Sequence, residues 1–209
     1  MFIQILIDNP NSWIVPYANQ LASQLSKLNH KIKIIHLHSE VKSGDILFLL
    51  GCEKIFSKLE LNKHNLVVHE SDLPKGKGWS PLTWQILEAA EKITISLIEA
   101  VESVDAGPIY EQLSIDFDGT ELIDELREKQ GKKTIQLILN FVKKFPNNLT
   151  KNQRGESTFY KKRKPEDSKL DIEKPLSSQF NLLRVCDNER YPAYFEINKK
   201  KYILKIYKK

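Results

Sequence analysis

The run from Asp45 to Gly51, Asp-Ile-Leu-Phe-Leu-Leu-Gly, constrains this chain more than any other feature. Successive side chains of a strand point to opposite faces, so an unbroken apolar run demands cover on both. A parallel α/β sheet meets that demand. Residues 2–8, 31–38 and 66–69 read as companion strands, and Tyr17, Leu21, Leu25 and Leu28 recur at helical spacing between the first two. Ser80-Pro81 predicts a helix over 80–90 lined by Leu82, Ile86 and Leu87, and strands follow at 93–98 and 108–113. Leu122, Leu126, Ile135, Ile138, Leu139 and Val142 predict a helix within 120–145, with Gly131 as a candidate interruption. Residues 146–178 are polar and read as an irregular connector, 180–187 as a short helix, and the apolar runs on either side of Asn198-Lys199-Lys200 as a hairpin. The expected architecture is an α/β domain with a mostly parallel sheet over 1–145. A linker and a small C-terminal subdomain, one short helix and a β-hairpin, follow over 146–209.

Composition excludes several classes. The chain has 209 residues, 41% hydrophobic and 28% charged, which suits a globular protein with its own core and not a disordered one. No apolar run approaches ~18 residues, so no membrane span is expected. The start, Met1-Phe2-Ile3-Gln4, lacks a basic stretch and reads as a strand, not a signal peptide. Cys52 and Cys186 stand far apart and match no metal spacing, which points to free thiols in a reducing, cytoplasmic setting. Much of the net charge of +5 sits in Lys161-Lys162-Arg163-Lys164 and in the lysine-rich tail. Such runs are solvated faces or attract anionic partners.

No Gly-x-Gly-x-x-Gly follows the first strand, no Gly-Lys-Ser/Thr loop is present, and no Gly-x-Ser-x-Gly elbow exists. His36 and His38 share a strand face without further ligands, so no metal site is expected, and His30 and His64 fall in polar turns as surface residues. His69 differs. It closes an apolar strand, and ligands of open α/β sheets bind beyond the carboxyl ends of strands, where a histidine can act as a general base. Asp105 occupies a tight turn, Val104-Asp105-Ala106-Gly107-Pro108. On pattern alone, a strand-end histidine and a turn aspartate with purely structural roles explain both residues as well.

The segment from Val68 through His69, Ser71, Leu73, Pro74, Lys75, Lys77, Gly78 and Pro81 to Trp84 resembles the active-site segment of folate-dependent formyltransferases. That segment typically reads Asn-x-His-x-Ser-Leu-Leu-Pro-x-x-Arg-Gly. The family's second element, a strand followed by Asp-x-Gly-x-Ile, is matched by Asp105-Ala106-Gly107-Pro108-Ile109. The resemblance implies a Rossmann-like formyltransferase domain, 10-formyltetrahydrofolate as formyl donor, no metal, and catalysis by His69 and Asp105. The family asparagine two before the histidine is Val67 here, and the loop arginine is Lys77. Asn65 shares the strand face but lies about 13 Å from His69 at ~3.3 Å per residue, too far to substitute.

The resemblance further implies that folate lies along Leu49, Leu50, Gly51 and Cys52 and the loop at Val104, with Gly51 allowing close backbone approach. Cys52 also reads simply as a small buried residue. On the acceptor side, Tyr160 to Asp171, with Arg163, Lys164, Pro165, Glu166, Asp167 and Ser168, and then Arg184, resembles the linker and short C-terminal part of sugar N-formyltransferases. The implied acceptor is the amine of a nucleotide-linked amino-dideoxy sugar, UDP-linked before dTDP-linked, destined for surface polysaccharide such as lipopolysaccharide. Ser71, Lys77, Trp79, Arg163, Lys164 and Arg184 become its candidate contacts, the basic ones serving a diphosphate or pairing with Glu166 and Asp167. The 64 residues after Phe145 look too few for a tRNA-binding domain. Methionyl-tRNA and glycinamide ribonucleotide formyltransferases remain alternatives, as does a non-catalytic basic nucleotide- or nucleic-acid-binding protein. No nucleic-acid or membrane partner is expected, and a homodimer is compatible with the sequence.

Overall fold

The computed structural model describes residues 1–209. The chain runs β1 (Phe2–Leu6), α1 (Val15–Lys27), β2 (Lys31–Ile35), β3 (Gly44–Leu49), β4 (Asn62–His69), β5 (Lys77–Gly78), α2 (Pro81–Leu87), β6 (Lys92–Glu99), β7 (Ile109–Asp116), α3 (Ile123–Lys144), β8 (Phe159–Tyr160), α4 (Phe180–Arg184), β9 (Ala193–Ile197) and β10 (Lys200–Leu204). Six strands form one sheet in the order β2-β1-β3-β4-β6-β7. The first four are parallel neighbours, while β6 runs antiparallel to β4 and to β7. The α/β, mostly parallel architecture is thus as the sequence predicts, and β9 and β10 form the C-terminal hairpin.

The two faces of this sheet are covered differently. Ile3, Ile5, Ile46, Phe48, Leu66, Ile93, Ile95 and Leu97 point to one face, where α1, α2 and α3 bury Leu21, Leu25, Leu82, Ile86, Leu137, Ile138 and Phe141 against them. The opposite face carries a smaller cluster of Leu6, Ile35, Leu47 and Leu49, covered by Val41 and Phe56 from connecting loops. The run at 46–50 is therefore buried on both faces, but by helices on one side only. The loop-covered side leaves room for a site above the strand ends.

Gly131 does not interrupt α3. Its Cα packs against the ring of Tyr17 on α1, and a Cβ there would collide with that ring. The glycine serves helix–helix approach, not a break. His64 is likewise not a free surface residue: Nδ1 lies 3.2 Å from Glu99 and 3.1 Å from the Tyr110 hydroxyl, with the ring edge-on to Phe145. The connector after α3 contributes β8, which the sequence did not suggest. It pairs in parallel with β5, bringing Phe159 and Tyr160 beside Lys77 and Gly78.

Candidate functional site

His69 ends β4 at the carboxyl edge of the sheet and is 5% exposed. Its Nε2 lies 2.8 Å from the carbonyl oxygen of Gly76. A carbonyl only accepts, so Nε2 carries the proton and Nδ1 is left free in the neutral ring. Nδ1 faces Asp105 Oδ1 at 3.6 Å, beyond direct hydrogen-bond length. Asp105 Oδ2 accepts the Gly78 backbone N–H at 2.9 Å. The turn and the loop after His69, far apart in sequence, thus hold one another at the end of β4.

The loop is held in turn by the linker. Gly76 N–H donates to Thr158 Oγ1 at 2.8 Å, and the backbone N–H groups of Lys77 and Trp79 donate to the carbonyls of Thr158 and Tyr160. Asp105 adopts a left-handed φ of +52°, unusual for a residue with a side chain. Gly107, two residues on, packs on the Glu99 carbonyl so closely that a Cβ would clash with backbone. This close approach explains the glycine of the Asp-x-Gly pattern. Gln153 donates from Nε2 to the carbonyls of both Asp105 (2.8 Å) and Gly107 (2.9 Å). Nothing in the sequence marked Gln153 or Thr158, since both lie in a polar connector without periodicity. Leu73, Pro74, Ile109, Gln112 and the 150–156 segment, which includes Gln153, line an open cleft of about 680 Å³.

The remaining candidate residues divide. Val67 lies on the same strand face as His69, half-buried against Leu73, Ile98 and Ile109, and brings no hydrogen-bond donor. Asn65 is turned to structure: its side chain donates to the Leu59 carbonyl at 2.7 Å. Ser71 is buried with its hydroxyl unpaired, on the loop that carries Gly76. Leu49 faces the loop-covered side and Val104 is exposed, but Leu50 packs into the helix-covered core and cannot line the same slot as Leu49. Gly51 meets no tight contact; its φ of +59°, not close approach, calls for glycine. Cys52 Sγ donates to the Leu6 carbonyl, and burial pushes its thiol up to about 12.

Lys77 is buried with Nζ over the Phe159 ring, and Lys162 Nζ sits 4.2 Å from the centroid of Trp79, which is 37% exposed. Lys164 is exposed. Arg163 is spent on the linker: its guanidinium donates to the Asp167 carbonyl and Ser168 Oγ, both at 3.2 Å. Arg184 corrects the expectation most sharply. It is 2% exposed, and its guanidinium donates to Glu121 Oε2 (2.9 Å), the Glu121 carbonyl and Asn181. A diphosphate cannot reach a cation buried against its own carboxylate. No group of three or more His, Cys, Asp or Glu side chains is arranged to hold a metal ion, and no helix is long and apolar enough to cross a membrane.

No protein-family model matches the sequence. Among curated proteins, the chain is 28% identical over 171 residues to the methionyl-tRNA formyltransferase of Thermotoga neapolitana, covering 79% of this chain and 54% of that one. The chain spans about half the length of the curated relatives it matches. Among solved structures, it superimposes on a methionyl-tRNA formyltransferase from Clostridium thermocellum with a TM-score of 0.82 and 24% identity, covering 96% of this chain and 90% of that one. A sugar N-formyltransferase from Shewanella gives 0.71 and 15%, covering 99% and 97%. HypX from Aquifex aeolicus, solved with tetrahydrofolic acid, gives 0.77 and 16%, covering 98% of this chain and 37% of that one. The fold is the Rossmann-like formyltransferase fold.

Proposed function

We propose that this chain is a folate-dependent formyltransferase in which His69 and Asp105 move the formyl group of 10-formyltetrahydrofolate to a primary amine. One observation carries the reading. A buried histidine beyond the end of β4, its tautomer set by the Gly76 carbonyl, faces a carboxylate at 3.6 Å on a formyltransferase fold. The amine must attack the formyl carbon while neutral, giving a tetrahedral oxyanion. Nδ1 of His69 takes the proton that the attacking nitrogen loses. The carboxylate of Asp105 stabilises the imidazolium, directly or through a water in the gap. The same proton passes to the folate nitrogen as its bond to the formyl carbon breaks, leaving a formamide and tetrahydrofolate. Val67 supplies no donor to the oxyanion, whereas Ser71 offers a buried hydroxyl without a partner.

The folate slot runs along Leu49, Cys52 and Val104 on the loop-covered face. The acceptor is the amine of a nucleotide-linked amino sugar, approaching from the flank where Trp79 stands with Lys162, and Lys164 follows on the exposed linker. What supports this choice is the Arg163–Ser168 pattern; the likeness to the Shewanella sugar N-formyltransferase accords with it, while the likeness to the Clostridium methionyl-tRNA formyltransferase accords with the second reading. Binding energy from the nucleotide positions the amine, an effect worth roughly 7–11 kcal/mol of barrier when geometry is good. The curated relatives' name favours methionyl-tRNA as the second reading. Initial rates with 10-formyltetrahydrofolate against a UDP-amino sugar, a dTDP-amino sugar, glycinamide ribonucleotide and charged initiator tRNA separate them. A preference for either of the last two overturns the sugar assignment, and no transfer to any of the four removes the enzymatic reading.

A further inference from the structure

We infer that Gln153 is a positioning residue for formyl transfer, acting solely by clamping the Asp105 turn so that its carboxylate faces His69. The inference rests on the proposed reaction. Asp105 holds a left-handed φ of +52°. That conformation costs a residue with a Cβ roughly 1–2 kcal/mol, so the surroundings must impose it. The side-chain bonds of Asp105 do not suffice: Oδ2 accepts one backbone N–H from Gly78, and Oδ1 is left at 3.6 Å from His69 Nδ1. The peptide carbonyls of Asp105 and Gly107 flank the turn, and neither is paired within it. Both accept from the two protons of the one Gln153 amide, at 2.8 and 2.9 Å. A primary amide, with two N–H bonds on one nitrogen, is a neutral side-chain group able to bridge two carbonyls in this way. Gln153 itself is held by the backbone pairing of Lys151 with Ile109 just upstream. The clamp thus ties the turn to the edge strand β7 and leaves Gln153 Oε1 buried and unpaired. The amide hydrogen bonds of Gln153 go to the turn carbonyls and none to the histidine, so its contribution runs through Asp105.

Charged and titratable groups around His69 are Asp105 across Nδ1, Glu70 next along the chain with its carboxylate held by Gln130, and Lys77, whose Nζ lies over Phe159. Gln153 touches none of them through its side chain except the backbone of Asp105, so a neutral substitution there leaves these charges unchanged.

A double-mutant cycle on kcat tests the inference. Gln153→Leu, which keeps bulk but has no donor, and Gln153→Glu, which keeps shape but presents a carboxylate to the carbonyls, are each made in the wild-type and Asp105→Asn backgrounds. Melting curves establish that the variants fold. In the wild-type background each should lower kcat at least ~10-fold, with KM for both substrates within ~3-fold. In the Asp105→Asn background the same substitution should cost under ~2-fold, since the group it positions is already disabled. Equal losses in both backgrounds overturn the inference, as does unchanged kcat in folded Gln153→Leu. A crystal structure of Gln153→Leu decides independently of activity. Asp105 leaving the left-handed region, with its carboxylate withdrawn from His69, supports the clamp; an unmoved turn overturns it. If the wild-type protein transfers no formyl group, the functional reading fails, while the position of the Asp105 turn in the Gln153→Leu crystal still tests the clamp.

Discussion

His69 and Asp105 depend on each other through surroundings that neither supplies. The Gly76 carbonyl decides which imidazole nitrogen is free, and the turn at Gly107 decides where the carboxylate sits. Replacing His69 or Asp105 with Ala should each lower formyl transfer at least ~10²-fold, the lower end for general acid–base groups, with little change in melting temperature. Steady-state rates on the purified variants check this; normal turnover in either removes the assignment. The sequence singled out both residues through their resemblance to the formyltransferase segments, and the structure brings them together at the end of β4. Gly76 was not singled out, since the contribution is a backbone carbonyl that any residue type would supply. The thiols give a second expectation at this scale. Cys52 is pushed up to about 12 by burial, with the Asp8 carboxylate adding to it, and burial raises Cys186 as well. Thiolate is the reactive form. A colorimetric thiol reagent at pH 8 should therefore leave the native protein essentially unlabelled for minutes and titrate 2 thiols after denaturation.

At the scale of elements, the junction of α3 with the C-terminal part rests on Glu121. Burial alone would raise its carboxyl, but hydrogen bonds from Lys129 and the Asp118 backbone N–H outweigh that and hold it below the usual carboxylate range. Arg184 completes the site. A lowered folded value means the stabilisation is fully present above the unfolded carboxylate range, near pH 4.3, and fades as pH falls through the folded value. Arg184→Met should cost about 1.5–3 kcal/mol at pH 7, because it removes a buried charged hydrogen bond to Glu121 while Lys129 and the Asp118 and Gly119 N–H groups still hold the carboxylate. Urea titrations of wild type and variant should converge as the pH drops below about 4; a gap that persists unchanged would show that the ion pair is not its source. Gly131→Leu tests a different joint. Forcing a side chain against Tyr17 should destabilise by roughly 1–3 kcal/mol through overpacking between α1 and α3, read as a lower denaturation midpoint.

Across the whole molecule, residues after 145 are not hung on the sheet by a free linker. Thr158 and Tyr160 bond the loop after His69, Arg127 pairs with Asp187 at 2.7 Å, and Val185 joins the helix-side core. These ties span the boundary expected near residue 145. Far-UV circular dichroism and tryptophan fluorescence should therefore report one coincident unfolding transition; two separated transitions would show that 146–209 unfolds as its own unit.

What the sequence determined by itself is what local pattern carries: the strand buried on both faces at 46–50, the helices with one apolar face, the C-terminal hairpin, and the His69 and Asp105 motifs. The strands, helices and hairpin follow from periodicity; the two motifs stand out through their resemblance to the formyltransferase segments. Tertiary structure alone decided what depends on distant partners. It put all three longer helices on one face, spent Arg163 on the linker and Arg184 on Glu121, turned Leu50 away from Leu49, and brought the polar 150–160 segment back to clamp both loops of the candidate site. A buried cation and a solvated one look alike in sequence, and a hydrogen bond across 46 or 82 residues leaves no periodic trace in either segment. The cost of leaving a buried polar group unpaired selects those partners, and that cost is felt only once the chain has folded around them.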